Sequence, residues 1–381
     1  MSDFYNLREN IQAGDDGRID TANEQNRRLN VVVTMPPPSD DPSANVLRFN
    51  EAVTRASATG GYAGTVLFPP GKYVFDSTLR VRNKMGLRVR GSGYATQLEF
   101  NVADGADWVT IEHSQHVHWS DMYLYGAGSG IARAAFALLR TNTAGSVYAP
   151  SQCHIRDMLV DCLNRAESAI KIGGTDANND FHTFERLTLQ NYTVRGIDLR
   201  TNMQSYANRF NNVRMYAGTG ASYGVDMGVN LGATFSWMGG FMHAHGEADF
   251  RLSRSYQPVS IGGGFNSEGS ARFLVCTGGY KQIAVNGVRW AGNGLHEDNR
   301  AIIWQYEGQL SVTNSRIGDG NDPTRPLVID LPAGILGHVS FRQNRVYSSA
   351  AAVFTNGVPG DLFGNDQTTD EVQNTTVALE A

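Results

Sequence analysis

The sequence predicts an all-β chain, a right-handed parallel β-helix with a capping helix near its N-terminus, and three observations carry that prediction. First, a unit of three short strands recurs through most of the chain. Its clearest part is a β-type segment, a tight turn and a second β-type segment, as in Arg209-Phe-Asn-Asn-Val-Arg-Met-Tyr, Ala284-Val-Asn-Gly-Val-Arg-Trp, Ser311-Val-Thr-Asn-Ser-Arg-Ile and Ser340-Phe-Arg-Gln-Asn-Arg-Val-Tyr. The equivalent positions 214, 241, 265, 289, 316 and 345 lie 27, 24, 24, 27 and 29 residues apart, a period that marks a β-solenoid. Second, Asn and Gly gather at the turn, where a sharp corner between two strands needs a backbone tolerant of positive φ. Third, the segments are too short, and too rich in Val, Phe, Thr and Gly, for a helical repeat of similar length.

Residues 1–40 are polar and end in Met35-Pro-Pro-Pro-Ser-Asp-Asp, which reads as an arm or linker. Asp41-Pro42 then opens a helix, with Asp as the N-cap and Pro in the first helical position. Val46, Phe49, Val53 and Ala56 give it one apolar stripe, and Gly60-Gly61 ends it. Gly64-Thr-Val-Leu-Phe-Pro-Pro-Gly-Lys-Tyr-Val-Phe follows as strand, turn and strand. A third strand precedes each later pair, in segments such as Ala169-Ile-Lys-Ile, Gly196-Ile-Asp-Leu, Gly224-Val-Asp-Met, Asp249-Phe-Arg-Leu and Phe273-Leu-Val-Cys. The coils, roughly ten or eleven in all, are expected from about 62 to 360. The helix would cover the open hydrophobic end, as a terminal unit must. Residues 41–360 thus form one unit, and 361–381 a polar, acidic tail.

Composition fits an ordered, turn-rich protein: 42 glycines and 12 prolines in 381 residues, with 41% hydrophobic and 18% charged. The net charge of −5 and pI near 6.0 argue against a nucleic-acid binder, which would carry a basic footprint. No run of 18 apolar residues exists, so no membrane-spanning helix is expected. The first residues lack a basic stretch followed by an apolar one, so no secretion signal is expected. The site of action stays open between the cytoplasm and a virion or extracellular location reached after lysis. Cys153, Cys162 and Cys276 are too widely spaced for a zinc site or a disulfide framework, and read as small core residues. No cofactor is implied.

The capping helix, the Phe68-Pro-Pro-Gly-Lys-Tyr element and the coils together resemble the pectate-lyase-like β-helix superfamily. That group includes polygalacturonase-related hydrolases, polysaccharide lyases and bacteriophage tailspike depolymerases. The resemblance covers about residues 41–360 and implies a protein that acts on long carbohydrates, often as a homotrimer. It does not supply a reaction, because one fold hosts many. The polygalacturonase pattern (Asn-x-Asp, Asp-Asp, Gly-His-Gly and Arg-x-Lys on successive coils) is not matched, so no catalytic residue carries over. Inulin fructotransferases share the architecture, but no segment here is specific to them.

Candidate site residues come from strand alternation instead. With Ile197 and Leu199 inward, Asp198 points out, and the same phase puts out Asp226, Lys171 one coil earlier and Arg251 one coil later. The register therefore predicts an external ladder of Lys171, Asp198, Asp226 and Arg251. Two carboxylates about 5 Å apart would repel, raising one pKa and setting an acid beside a base at a retaining-glycosidase spacing. The same ladder is equally a run of surface salt bridges, or a holder for substrate carboxylates. The loop Phe241-Met-His-Ala-His-Gly-Glu-Ala-Asp brings His243, His245, Glu247 and Asp249 beside the ladder, for substrate contact or proton transfer, or with the histidines simply hydrogen-bonded within the loop. His-x-His would suit a metal if both rings faced one way, but no third ligand is specified, so no metal is assigned. Glu268, one coil on, is a further acid/base candidate. Tyr223, Tyr206, Tyr256 and Trp304 could stack sugar rings or pack between subunits. Arg214, Arg289, Arg316 and Arg345 form a column that could be a subunit contact, an anion strip or a solvated face.

The function expected from these readings is cleavage of a polysaccharide by carboxylate acid/base chemistry on the outer face, with Asp198, Asp226 and Glu268 as catalytic candidates. Lys171, His243, His245, Glu247, Arg251 and Tyr223 are the expected substrate contacts. A lyase acting on uronate polymers, a non-catalytic phage receptor-binding protein and a fructan-acting transferase remain as alternatives.

Overall fold

A computed structural model describes residues 31–57, 63–139, 151–173, 179–200, 205–227, 233–253, 258–292, 298, 300–305, 308–318, 328–330, 337–347, 354–355, 361–363, 366–368 and 377–378. Residues 1–30 of the expected arm, Tyr256 and most of the acidic tail lie outside them. The chain winds as a parallel β-solenoid in which each strand pairs in register with its counterpart one coil away. Three columns of strands make its faces. Sheet 1 includes Ser205–Asn211, Ala233–Met238 and Lys281–Asn286; sheet 2 includes Arg214–Ala217, Phe241–His243 and Asn266–Glu268. Sheet 3 holds 11 strands among the described residues, including Ala166–Ile172, Arg195–Asp198, Tyr223–Asp226 and Ala248–Leu252.

Among the described residues, the corner from sheet 1 into sheet 2 is turned by one residue of positive φ or by a glycine pair. Asn212 (φ 51°), Gly287 (66°) and Asn314 (48°) occupy it where the sequence places them, and in the last repeat it is Gln343 (55°), not the neighbouring Asn344. Two coils use a glycine pair, Gly239-Gly240 and Gly263-Gly264, all four with positive φ. A Cβ on Gly240 would sit 2.1 Å from the Val213 carbonyl oxygen, so only glycine fits there. The second pair shifts the expected repeat by one: Asn266, not Phe265, stands opposite Phe241 and Arg289, and Phe265 is buried.

Inward positions make one continuous core. Phe184, Phe210 and Trp237 stack on successive coils at 5.0 and 5.1 Å between ring centroids, and all five tryptophans are buried. The helix Pro42–Ala56 is capped by the Asp41 carboxylate, which accepts from the Ser43 N–H at 3.0 Å. It turns Phe49, Ala52, Val53 and Ala56 onto the end of this core, with Phe49 stacked on Phe68 at 5.9 Å. The three cysteines are buried free thiols. Two expected boundaries shift. Val32–Thr34 pairs with Thr65–Leu67 and so belongs to the first coil rather than an arm. At the other end, Asp361–Phe363 and Asp366–Thr368 continue sheets 1 and 2 past residue 360.

Candidate functional site

On sheet 3, Lys171, Asp198, Asp226 and Arg251 stand opposite one another in that order. Both carboxylates are nonetheless buried, beneath the cations that hold them. Asp198 accepts from Lys171 Nζ at 2.8 Å and from Arg200 Nε and Nη2 at 2.9 and 3.0 Å. Asp226 accepts from Arg195 Nε at 2.8 Å and from Arg251 Nε and Nη2, both at 2.7 Å. The Arg251 guanidinium also lies 4.2 Å over the Tyr223 ring and donates to its hydroxyl at 3.2 Å.

This arrangement reverses the electrostatic expectation for Asp198. Burial pushes its pKa up, but the hydrogen bonds and charges of Arg200 and Lys171 outweigh burial and hold it at about 2. The sequence already offered Lys171 and Arg251 as salt-bridge partners of the two aspartates, and Arg195 and Arg200 are the additional cations. Arg200 was within its reach, since it lies two residues from Asp198 on the same face. Arg195 was not, because an odd offset brings it outward only where the strand departs from strict alternation.

Of the predicted contacts in the 241–249 segment, His245 is the one the structure moves. Ala244 has φ 65°, so the chain twists between the two histidines; His243 is exposed and His245 is buried at 1%. Inside the corner, His245 Nδ1 bonds the Asp249 carboxylate at 2.8 Å and Nε2 meets the Tyr192 hydroxyl at 2.5 Å. Ser267 and Ser270 hydroxyls donate to the same carboxylate at 2.5 and 2.7 Å. Both ring nitrogens of His245 thus meet a polar partner inside the corner, and the cluster forms a buried polar network. His245 is turned into the core while His243 faces out, so the two rings do not share one face as the sequence pattern suggested. Glu247 is exposed and pairs with Arg272 at 3.4 Å. Trp304 is also buried, under the Lys281 ammonium.

Sheet 2 brings a different set together. Arg214 and Tyr216 stand opposite Phe241 and His243, which stand opposite Asn266 and Glu268. The intervening Met215, Met242 and Ser267 are buried, so these six side chains form an outward grid two residues wide and three coils deep. By strand spacing the grid measures roughly 7 by 10 Å. Tyr216 and Phe241 lie 5.5 Å apart between centroids, and His243 is 6.1 Å from Phe241. A recess beside them is lined by Asn212, Arg214, Tyr216, Gly240, Phe241 and Asn266. His243 and Glu268 enter no ion pair among the described residues. The sequence named both but did not see that Arg214, Tyr216 and Phe241 complete their surroundings; the register of the pair Gly239-Gly240 would have shown it.

No family model matches the chain, and no curated protein matches it in sequence. Solved structures do. The catalytic domain of a GH87 α-1,3-glucanase in complex with tetrasaccharides matches with a TM-score of 0.50 and 15% identity, over 88% of this chain and 68% of that one. The A-module of a mannuronan C-5 epimerase from Azotobacter vinelandii matches at 0.50 and 14%, over 88% of this chain and 89% of that one. The catalytic unit of a thermostable α-1,3-glucanase from Streptomyces thermodiastaticus matches at 0.48 and 13%, over 92% and 70%. The likeness is one of fold, and it places the chain among the parallel β-helix proteins.

Proposed function

We propose that this protein binds a polysaccharide on the outer face of sheet 2 and cleaves its glycosidic bonds there. The observation that carries the reading is the open pairing of His243 with Glu268 on consecutive coils, beside Tyr216 and Phe241. A glycosidic bond breaks when one group protonates the leaving oxygen and another activates water or attacks the sugar. An imidazole beside a carboxylate can divide those tasks near neutral pH. Tyr216 and Phe241 offer aromatic faces for the apolar side of a sugar ring, and Arg214, Asn212 and Asn266 offer donors for hydroxyls. In this reading Asp198 and Asp226 serve as scaffold rather than as acid and base. The structural neighbours named for α-1,3-glucan and for mannuronan support a polysaccharide as substrate. The test is release of reducing ends from α-1,3-glucan and from polymannuronate. E268Q should lower the rate at least about a hundredfold, and an unchanged rate overturns the assignment.

A second reading has its own observation. Lys171, Arg195, Arg200 and Arg251 hold Asp198 and Asp226, with Glu167 as a third carboxylate acting on Arg200, and Arg200 and Arg251 keep 37% and 27% of their side chains exposed. That excess of positive charge suits uronate carboxylates, hence a lyase; products absorbing as unsaturated uronates would decide for it. Binding with no new chain ends would favour a receptor-binding protein. A homotrimer belongs to the proposal on the strength of the superfamily resemblance, and light scattering of the purified chain tests it.

A further inference from the structure

The six-residue grid lies within a longer column, whose Arg214–Phe241–Asn266 row runs on toward the C-terminus to Arg289, Arg316 and Arg345. Followed toward the N-terminus through the register, the Arg214–Phe241 row continues to Thr188, Leu159 and Tyr123, and the Tyr216–His243–Glu268 row continues to Gln190, Asp161 and Tyr125. Tyr123, Tyr125, Leu159, Thr188 and Gln190 are all partly exposed. Two lanes result. The first offers apolar surface at Tyr123, Leu159 and Phe241. The second offers hydrogen-bonding groups at Tyr125, Gln190, Tyr216, His243 and Glu268. A sugar chain has the same division, with apolar ring faces and a hydroxyl-bearing edge.

The far end of the lanes is an aromatic platform. Tyr123 and Tyr125 lie 4.9 Å apart with planes 30° from parallel. Tyr125 is fixed by donating to Glu99 at 2.8 Å, and Glu99 is itself paired with Lys72 at 2.6 Å. Five register steps separate Tyr125 from Glu268, through Asp161, Gln190, Tyr216 and His243. At a strand spacing of about 4.8 Å that is roughly 24 Å, the reach of several sugar units.

Charge along the lanes is balanced. Lys72 is paired with Glu99, Arg214 and Glu268 add one charge of each sign at opposite corners of the grid, and buried Asp161 is held by Gln190 and Asn191 at 2.7 and 2.8 Å. Among the described residues Arg214 is the one arginine or lysine in the two rows between Tyr123 and Glu268, and the arginine row begins beyond them at Arg289. We infer that Tyr123 and Tyr125 form a remote subsite for a neutral glycan, which lies along the solenoid axis from this platform to the His243–Glu268 pair. The inference rests on the sheet 2 reading above and names its substrate class.

Affinity electrophoresis of the full chain tests it, in gels containing soluble starch, dextran or carboxyl-free α-1,3-gluco-oligosaccharides, and in a parallel gel containing polymannuronate. At least one neutral glucan should retard the protein. The double variant Y123A/Y125A should weaken that retardation about tenfold, as loss of a stacking platform would, while F181A, which removes an exposed aromatic elsewhere, should not. Unchanged circular dichroism of the double variant keeps misfolding apart from loss of binding. Retardation by polymannuronate alone, by none of the neutral glucans, or equally in Y123A/Y125A and the wild type, overturns the inference. The two readings fail separately. If E268Q cleaves normally while Y123A/Y125A loses retardation, the chemistry is misplaced and the track stands; if E268Q is inactive while Y123A/Y125A binds normally, the reverse holds.

Discussion

Replacing Asp226 by Asn should destabilise the protein by about 3 kcal/mol, and this is the sharpest way to separate scaffold from catalyst. The carboxylate is fully buried and takes three hydrogen bonds from Arg195 and Arg251. Asn keeps the shape but removes the charge and turns one acceptor into a donor facing a guanidinium. Breaking a buried pair by removing one partner costs about 3–5 kcal/mol, because the other charge is left uncompensated. Arg251 retains 27% of its side-chain exposure and Arg195 12%, so solvent recovers part of that, and the lower end applies. With a urea dependence of about 3 kcal/mol per molar, the midpoint should fall by roughly 1 M. The five buried tryptophans supply a fluorescence readout. In the D226N/R251Q double variant the added loss should be smaller than the sum of the two single changes, since they share one interaction. A midpoint within about 0.2 M of wild type, together with loss of polysaccharide cleavage, would refute the scaffold role and make Asp226 catalytic.

Other consequences follow from the same structure. Burial lowers the His182 pKa to about 3, and burial with the charges of His154, Arg88 and Arg156 lowers that of His118 to about 4. The unfolded chain protonates both near 6.5, so it binds more protons than the folded chain between that pH and the folded values. Stability should then fall as pH drops below about 6.5, by up to about 1.4 kcal/mol per pH unit for His182 and less for the partly exposed His118; H182Q should flatten the slope measured by urea unfolding between pH 7 and 4. G240A should lower the unfolding midpoint by an amount corresponding to at least about 1–3 kcal/mol, because a methyl group meets the Val213 carbonyl at a positive-φ corner. F49A should remove the ring that stacks on Phe68 and covers the core's end, lowering stability by about 3–5 kcal/mol in the same assay.

Strand phase and coil spacing were legible because they depend on local chemistry repeated many times. Alternation of Ile197, Asp198 and Leu199 alone put Asp198 in line with Lys171 and Asp226, and the structure has that register. What local pattern could not supply was the response to neighbours. Whether Asp198 is an acid or a held anion depends on Arg200 and Lys171 arriving from two directions. The facing of His245 turns on the positive φ of Ala244, a residue with no sequence signal for that conformation. The one-residue slip at Phe265 came from a glycine run in which two corner residues replace one.

Register has a consequence for how such a protein can be altered. Positions on sheet 2 are separated by whole windings, so the gap between Tyr125 and Glu268 changes only in increments of about 4.8 Å. Lengthening a corner loop leaves the gap untouched, whereas removing one complete winding, such as the stretch from Asp161 to Gln190 that spans a single register step, would shorten it by one increment to roughly 19 Å. The solenoid thus behaves as a graduated scale. The length of ligand it accommodates would be set by counting turns of chain, independently of the chemistry fixed at either end.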